Sequence, residues 1–322
     1  MSRFMKAWMV AALLAAPVIA AAQAYPNRAM RLIVPYPAGG GTDFFARLVG
    51  AKMSDNMRQQ MLIENRPGAT TMIGAELVAK SPPDGYTILL GDTATYAVNP
   101  ALIKKLSYDP LKDFDPVSLT VRASLLLVIN DAMPVRSVKE LIEYAKARPD
   151  TLNFGSPGAG SPHHLAMELL KQRTGISVTH VPYKGAAPAT QDLIGGQIQL
   201  MFLDLGTGGP QVRSGKVRAL AIGDDRRLAA MPDLPTVSEA GVPGFEAYAW
   251  QGFALPAGSP KEAVATLNRE FAKAAADSTV QQKLREVGFE SIPSTPEQMT
   301  ARIKSEQVKW AKVIKDGNIS ID

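Results

Sequence analysis

Short apolar runs alternate with amphipathic ones along most of this chain, and that alternation is the feature that most limits its fold. Residues 31–35 read as a strand, and a helix runs from Thr42 or Asp43 to about Asn56. A second strand is expected at 61–64, a helix at 69–80 and a third strand at 86–90. The rhythm restarts with a strand at 125–129. Ser137 opens the next helix with Glu140 three residues on, the spacing of a capping box. Strands are expected at 152–154, 177–181, 198–202 and 217–222, with a helix opening at Ser161-Pro162 and others at 187–194 and 210–214. Strand, turn and helix in repeated succession build a parallel sheet. Two such blocks predict an α/β fold of two lobes, each a mostly parallel sheet flanked by helices, with a cleft between them. The last part differs. Residues 245–255 read as extended and aromatic, and helices follow at 260–277, 280–287 and 296–315. The expected division is 25–123 plus 246–322 for the first lobe and 124–245 for the second.

The residues before the first strand set the compartment. Arg3 and Lys6 precede an uncharged apolar run, 7–20, and Ala22-Gln23-Ala24 offers a small-x-small cleavage site. This is the layout of a cleavable secretory signal peptide, 1–24, ending before Tyr25. The apolar run is shorter than the roughly 20 residues that span a bilayer, and Pro17 interrupts it, so a soluble periplasmic protein without direct membrane insertion is expected. Cleavage leaves 322 − 24 = 298 residues and lowers the formal net charge from +5 to +3, since the leader carries two bases and no acid. So small a surplus, without clustered Lys and Arg, argues against nucleic acid, yet it suits attraction of anions. The chain has no cysteine, so packing alone must hold the fold in an oxidising compartment. Thiol nucleophiles and a lipid anchor on cysteine are excluded with it.

Two loops carry most of the chemistry. Tyr36-Pro-Ala38-Gly39-Gly40-Gly41-Thr42-Asp43 joins a strand to a helix start. Its glycines let the backbone bend and approach a ligand, and a helix N-terminus favours an anion. It has neither the Gly-Lys-Ser/Thr of a phosphate loop nor the G-x-G-x-x-G of a dinucleotide site. An ordinary glycine-rich turn fits the spacing equally. The second loop, Gly155-Ser156-Pro157-Gly158-Ala159-Gly160-Ser161-Pro162-His163-His164, again joins a strand to a helix and adds two hydroxyls. One such loop in each lobe would grip the two ends of a dicarboxylate. Charge-assisted hydrogen bonds contribute about 1.5–3 kcal/mol each, so three or four approach the roughly 8 kcal/mol of micromolar binding before ordering costs.

The remaining polar residues give bland readings. Adjacent His163 and His164 diverge by about 100° on a helix, and no H-x-x-x-H spacing exists, so no metal is expected. No G-x-S-x-G elbow occurs, so no hydrolase is expected either. His164 reads as a helix-start donor facing the cleft, or as a structural residue. Asp43 reads as a helix N-cap. Asp204 follows an apolar strand and precedes Gly206-Thr-Gly-Gly209, so it would face the cleft, with Lys184 as a candidate counter-charge.

An ordered set of motifs then carries a family resemblance. They are Tyr36-Pro-Ala-Gly-Gly-Gly-Thr-Asp43, Glu64-Asn-Arg-Pro-Gly-Ala69, Pro83-Asp-Gly-Tyr-Thr87, Asn153-Phe-Gly-Ser-Pro-Gly158, Val181-Pro-Tyr-Lys-Gly185 and Leu234-Pro-Thr-Val-Ser-Glu239. In this order, over nearly the whole chain after residue 24, they resemble the tripartite tricarboxylate transporter receptors, or Bug proteins. The resemblance implies a type II periplasmic binding fold, two lobes joined by two crossovers. It implies a monomeric receptor without cofactor that captures a small carboxylate and delivers it to a permease of a large and a small subunit. A ligand-loaded receptor that signals to a periplasmic sensor domain is the alternative. The carried-over contacts fall on Tyr36, Ala38, Gly39, Thr42 and Asp43 in the first lobe, with Gly40 in the same loop. In the second they fall on Ser156, Gly158, Ser161, His164 and Asp204, with Tyr183 flanking the cleft. Many members have Thr-His near an Asn-Pro; this chain has Thr95-Tyr96 before Asn99-Pro100, which brings Thr95 into the expected site and suggests room for an aromatic as well as an aliphatic acid. Bulkier residues usually follow the aspartate; Leu205-Gly-Thr-Gly-Gly209 here would widen the pocket.

Overall fold

The computed structural model describes residues 25–321, so the leader expected at 1–24 lies outside them. In chain order the strands are β1 (Met30–Val34), β2 (Met61–Asn65), β3 (Thr87–Asp92), β4 (Phe114–Ala123), β5 (Leu125–Asn130), β6 (Asn153–Ser156), β7 (Thr179–Pro182), β8 (Leu200–Asp204), β9 (Val217–Ile222), β10 (Ala249–Pro256) and β11 (Phe289–Ser291). The helices are α1 (Gly41–Met57), α2 (Met72–Ala79), α3 (Asn99–Leu102), α4 (Val138–Lys146), α5 (Pro162–Thr174), α6 (Ala186–Ile194), α7 (Leu205–Arg213), α8 (Lys261–Ala276), α9 (Ser278–Glu286) and α10 (Pro296–Asp316). A π-helix, Ala94–Val98, runs straight into α3.

The strands form two sheets, one per lobe, ordered β11-β4-β10-β3-β1-β2 and β7-β6-β8-β5-β9. Local chemistry explains many of the helix starts. Ser137 and Ser161 each accept the backbone N–H three residues on, and Pro162 occupies the first turn of α5. Thr295 and Gln298 complete a reciprocal cap on α10.

The expectation of mostly parallel sheets needs correction. β1 pairs parallel with β2 and β3, and β6 with β7 and β8, but β4, β5, β9, β10 and β11 pair only antiparallel. The cause is connectivity. β4 leaves the first lobe and β10 returns to it, so the two run side by side in opposite directions. Their junctions with the second lobe are hydrogen-bonded together: Gly223 N donates to Leu125 O (2.7 Å) and Ala247 N to Gly223 O (2.8 Å). A Cβ on Gly223 would lie 2.4 Å from the Ala247 carbonyl, so only glycine fits there. Arg122, with 5% of its side chain exposed, ties the junction electrostatically to Glu290 (2.9 Å) in the first lobe and Asp225 (3.1 Å) in the second.

One apolar core is continuous across both lobes. It passes from Tyr96 and Trp250 through Trp310 and Ile314 on α10 to Phe154 and Leu165. Gln172 on α5 adds a hydrogen bond to the Val313 carbonyl of α10 (2.9 Å). A second cluster packs α1 and α8 on the first sheet through Phe45, Phe253 and Phe271.

Tyr96 lies inside the shared core, fully buried and stacked on Trp250 at 5.9 Å and 6°, its hydroxyl donating to Gly252 O. Tyr96→Ala should therefore cost about 3–5 kcal/mol and Tyr96→Phe about 1 kcal/mol, both read from urea unfolding. Near-equal losses would mean that the ring contributes little.

Candidate ligand cleft

A cavity of about 690 Å³ lies between the lobes. The chain reaches it at the carboxyl ends of β1, β3, β6 and β8, where open α/β sheets hold their ligands. Three helices begin there. Gly41 and Thr42 open α1, Pro162 and His163 open α5, and Gly206 and Thr207 open α7, and all six residues line the cavity. Each helix start presents N–H groups without partners inside its own helix and the equivalent of about half a positive charge. No Lys or Arg lines the cavity among the described residues. Asp92, Asp204 and Glu286 do line it, so the donors that an anion would meet there are the backbone N–H groups of the helix starts, with His163 beside them.

The first-lobe wall is held by a short relay. Tyr36 donates to Asp92 Oδ2 (2.5 Å), and Asp92 Oδ1 accepts both the N–H (2.9 Å) and the hydroxyl (2.8 Å) of Thr95. Burial raises the Asp92 carboxyl above its ordinary range, against the pull of these bonds. Gln251 of β10 donates to Thr42 Oγ1 (2.9 Å). Asp43 is not the N-cap of α1, since Gly40 holds that position. The Asp43 side chain, 4% exposed, accepts from Gly39 N, Arg47 and Asn65 (all 2.9 Å). The Arg47 hydrogen bond outweighs burial and holds its pKa down to about 2. Asp43 shapes the glycine loop, and its carboxylate has no oxygen left unengaged.

The second-lobe wall reverses one histidine. His163 faces the cleft and pairs with Asp204 (Nε2 to Oδ2, 3.0 Å). Burial opposes the charge on Asp204, yet His163 keeps its pKa below the ordinary value. His164 points into the lobe, where its Nδ1 accepts from Gly160 N (3.0 Å) and its ring stacks on His180 at 3.7 Å. His180 in turn lies 2.7 Å from Ser156 Oγ, and Ser156 donates to Gly158 O. Buried His164 and half-buried His180 brace the serine-glycine loop from behind.

A family profile described as the tripartite tricarboxylate transporter family receptor matches residues 45–319. The chain belongs to that family. BugT of Bordetella pertussis is 36% identical over 94% of this receptor and 93% of its own length. The Rhodopseudomonas palustris protein Rpa4515, solved with adipate, superimposes with a TM-score of 0.80 at 39% identity, over 92% of this chain and 99% of that one. MatC of the same organism, solved with bound malate, superimposes at 0.76 and 34% identity, over 90% and 100%.

In this receptor the expected site residues divide into two sets. Tyr36, Thr42, Gly158, Ser161 and Asp204 line the cavity. Ala38, Gly39 and Gly40 are exposed on the glycine loop outside the lining, while Thr95 and Ser156 are fully buried behind it. Tyr183 donates to Asp192 (2.7 Å), and neither it nor Lys184 reaches the cavity wall. Tyr96 is sealed in the core, which removes the argument it gave for an aromatic ligand. The glycines after Asp204 lie in the first turns of α7, and of the three only Gly206 lines the cavity. The sequence reading missed His163, Asp92, Gln251 and Thr207. Asp92 and Gln251 did carry a signal, because each is a polar residue in an otherwise apolar strand. His163 differed from His164 only by helix phase.

The histidine brace sets a pH dependence. Burial, then the neighbouring His164, lowers the His180 pKa from its ordinary value to about 4. The unfolded chain therefore takes up that proton first. The contribution of neutral His180 is complete above about pH 6.5 and is lost as pH falls towards 4. His180→Phe keeps the stack and removes the titration. Between those pH values the melting temperature of the wild type should fall more than that of the variant, and parallel curves would contradict the assignment.

Proposed function

We propose that this chain is a periplasmic receptor that captures a small aliphatic mono- or dicarboxylate between its lobes, without turning it over, for a membrane permease of a large and a small subunit. The observation that carries this reading is the convergence of three helix N-termini, from both lobes, on one cavity without cationic side chains. Backbone N–H groups at helix starts suit a carboxylate, and donors from opposite walls suit one at each end of a diacid. The solved relatives with adipate and malate, both dicarboxylates, support the same chemistry. The family supports export and the permease partner. The two closing bodies are taken as 25–123 plus 246–322 and 124–245.

Binding without turnover fits the one serine–histidine pair near the cleft. Ser156 is fully buried, does not line the cavity, and engages its hydroxyl with Gly158 O and the His180 ring.

Calorimetry against malate, succinate, adipate and benzoate tests the reading. At least one aliphatic acid should bind with micromolar affinity, and dimethyl adipate should not. No heat from any acid would refute carboxylate capture, and preference for benzoate would move the ligand to the aromatic class. Thr207→Glu adds a negative charge at the start of α7, where the helix itself tolerates an acid. It should weaken the bound acid by about tenfold or more, roughly 1.4 kcal/mol, while the melting temperature without ligand holds.

A further inference from the structure

Two glycines from opposite lobes meet at one edge of the cleft. Gly206 stands in the first turn of α7, and Gly288 joins α9 to β11. A Cβ built on Gly206 would lie 2.3 Å from the carbonyl oxygen of Val287, and one built on Gly288 would lie 2.4 Å from Gly206 N. Both obstacles are backbone, which cannot swing aside as a side chain can. Gly288 also holds φ +79°, a conformation that side chains rarely adopt. Gly206 is helical and carries no such restriction, so what demands glycine there is the approach of the other lobe.

The contact has a cavity on each side. Gly206 and Val287 line the ligand cleft, while Leu205 and Gly288 line a second interlobe cavity of about 560 Å³, and Phe289 faces both. The second cavity is walled by Arg226, Arg227 and Arg285, whereas the cleft has no such cation. The glycine contact is thus the partition that closes the cleft at this end and keeps the arginines out of it.

We propose that Gly206 is a specificity-determining residue: by letting the lobes meet backbone to backbone, it fixes the end wall of the cleft and selects short acids over long ones. The inference rests on the carboxylate reading above. Any side chain at 206 would hold this edge of the lobes apart, merge the two cavities and open a path to the arginines for the far carboxylate of a longer diacid.

The test compares the wild type with G206A and G209A. Gly209 lies on the same helix, outside the lining of both cavities, and a Cβ there would meet only side chains: the flexible end of Arg213 (3.2 Å), with Leu205 Cδ1 (3.5 Å) and Met231 Cε (3.9 Å) at ordinary contact distance. Both variants gain the same helix propensity, so a melting scan without ligand checks that each is folded. Calorimetry with succinate, adipate and suberate should show G206A losing about tenfold or more on the shortest acid bound by the wild type, with its preference moved towards suberate. G209A should follow the wild type. Small-angle scattering supplies a readout that does not depend on which acid binds. In the condition where the wild type is most compact, G206A should be more extended and G209A should not. An unchanged ranking with equal compactness would overturn the role of Gly206. If the wild type binds no acid of the panel, the carboxylate reading fails, and the scattering comparison alone decides whether the glycine contact sets closure.

Discussion

The cleft depends on one constraint of connectivity, the return of β10 into the middle of the first sheet. By inserting between β3 and β4 it lays the two junctions between lobes side by side and lets them share hydrogen bonds. It carries Gln251 to the cavity wall and Trp250 onto Tyr96 in the core. It also makes the sheets mixed, because a strand that leaves a lobe and a strand that returns must run in opposite senses. The buried Arg122 beside the junction belongs to the same device. Its partners come from both lobes, and loss of such a residue would leave the buried Asp224 carboxyl without its counter-charge.

The shared core gives the molecule a second tie. Helix α10 packs on both lobes through Trp310 and Ile314, and both indoles, of Trp250 and Trp310, donate to the buried Glu306. Motion between the lobes must therefore keep the α10 contacts and be taken up at the junctions. That arrangement suits a receptor in which small rotations open and close one edge of the cleft.

Much of this was legible in the sequence, and the failures share a physical origin. Strand, turn and helix succession gave two α/β lobes, since apolar runs and glycine loops are local signals. β4 and β11 left no local mark that the alternation could pick out, and sheet direction depends on contacts made across the chain. At the site, the glycine loop and the serine-glycine loop were correctly placed as helix entries, yet only part of each faces the cavity. The choice between His163 and His164 turns on the phase of α5, which two adjacent residues of one type cannot reveal. The Tyr96 argument failed because a π-helix rotates that ring into the core against Gly91, whose missing side chain makes the space. The role of Gly206 was not legible because the surface it touches is more than eighty residues away in sequence.

The central claim is that backbone N–H groups at helix starts of both lobes, and not cationic side chains, hold the ligand. A crystal structure of the receptor grown with saturating adipate tests it most directly. The account places one carboxylate at the start of α1 and the other at the starts of α5 and α7, beside His163. A carboxylate bound by Arg226 or Arg285 in the neighbouring cavity, or an adipate held by one lobe alone, would contradict it.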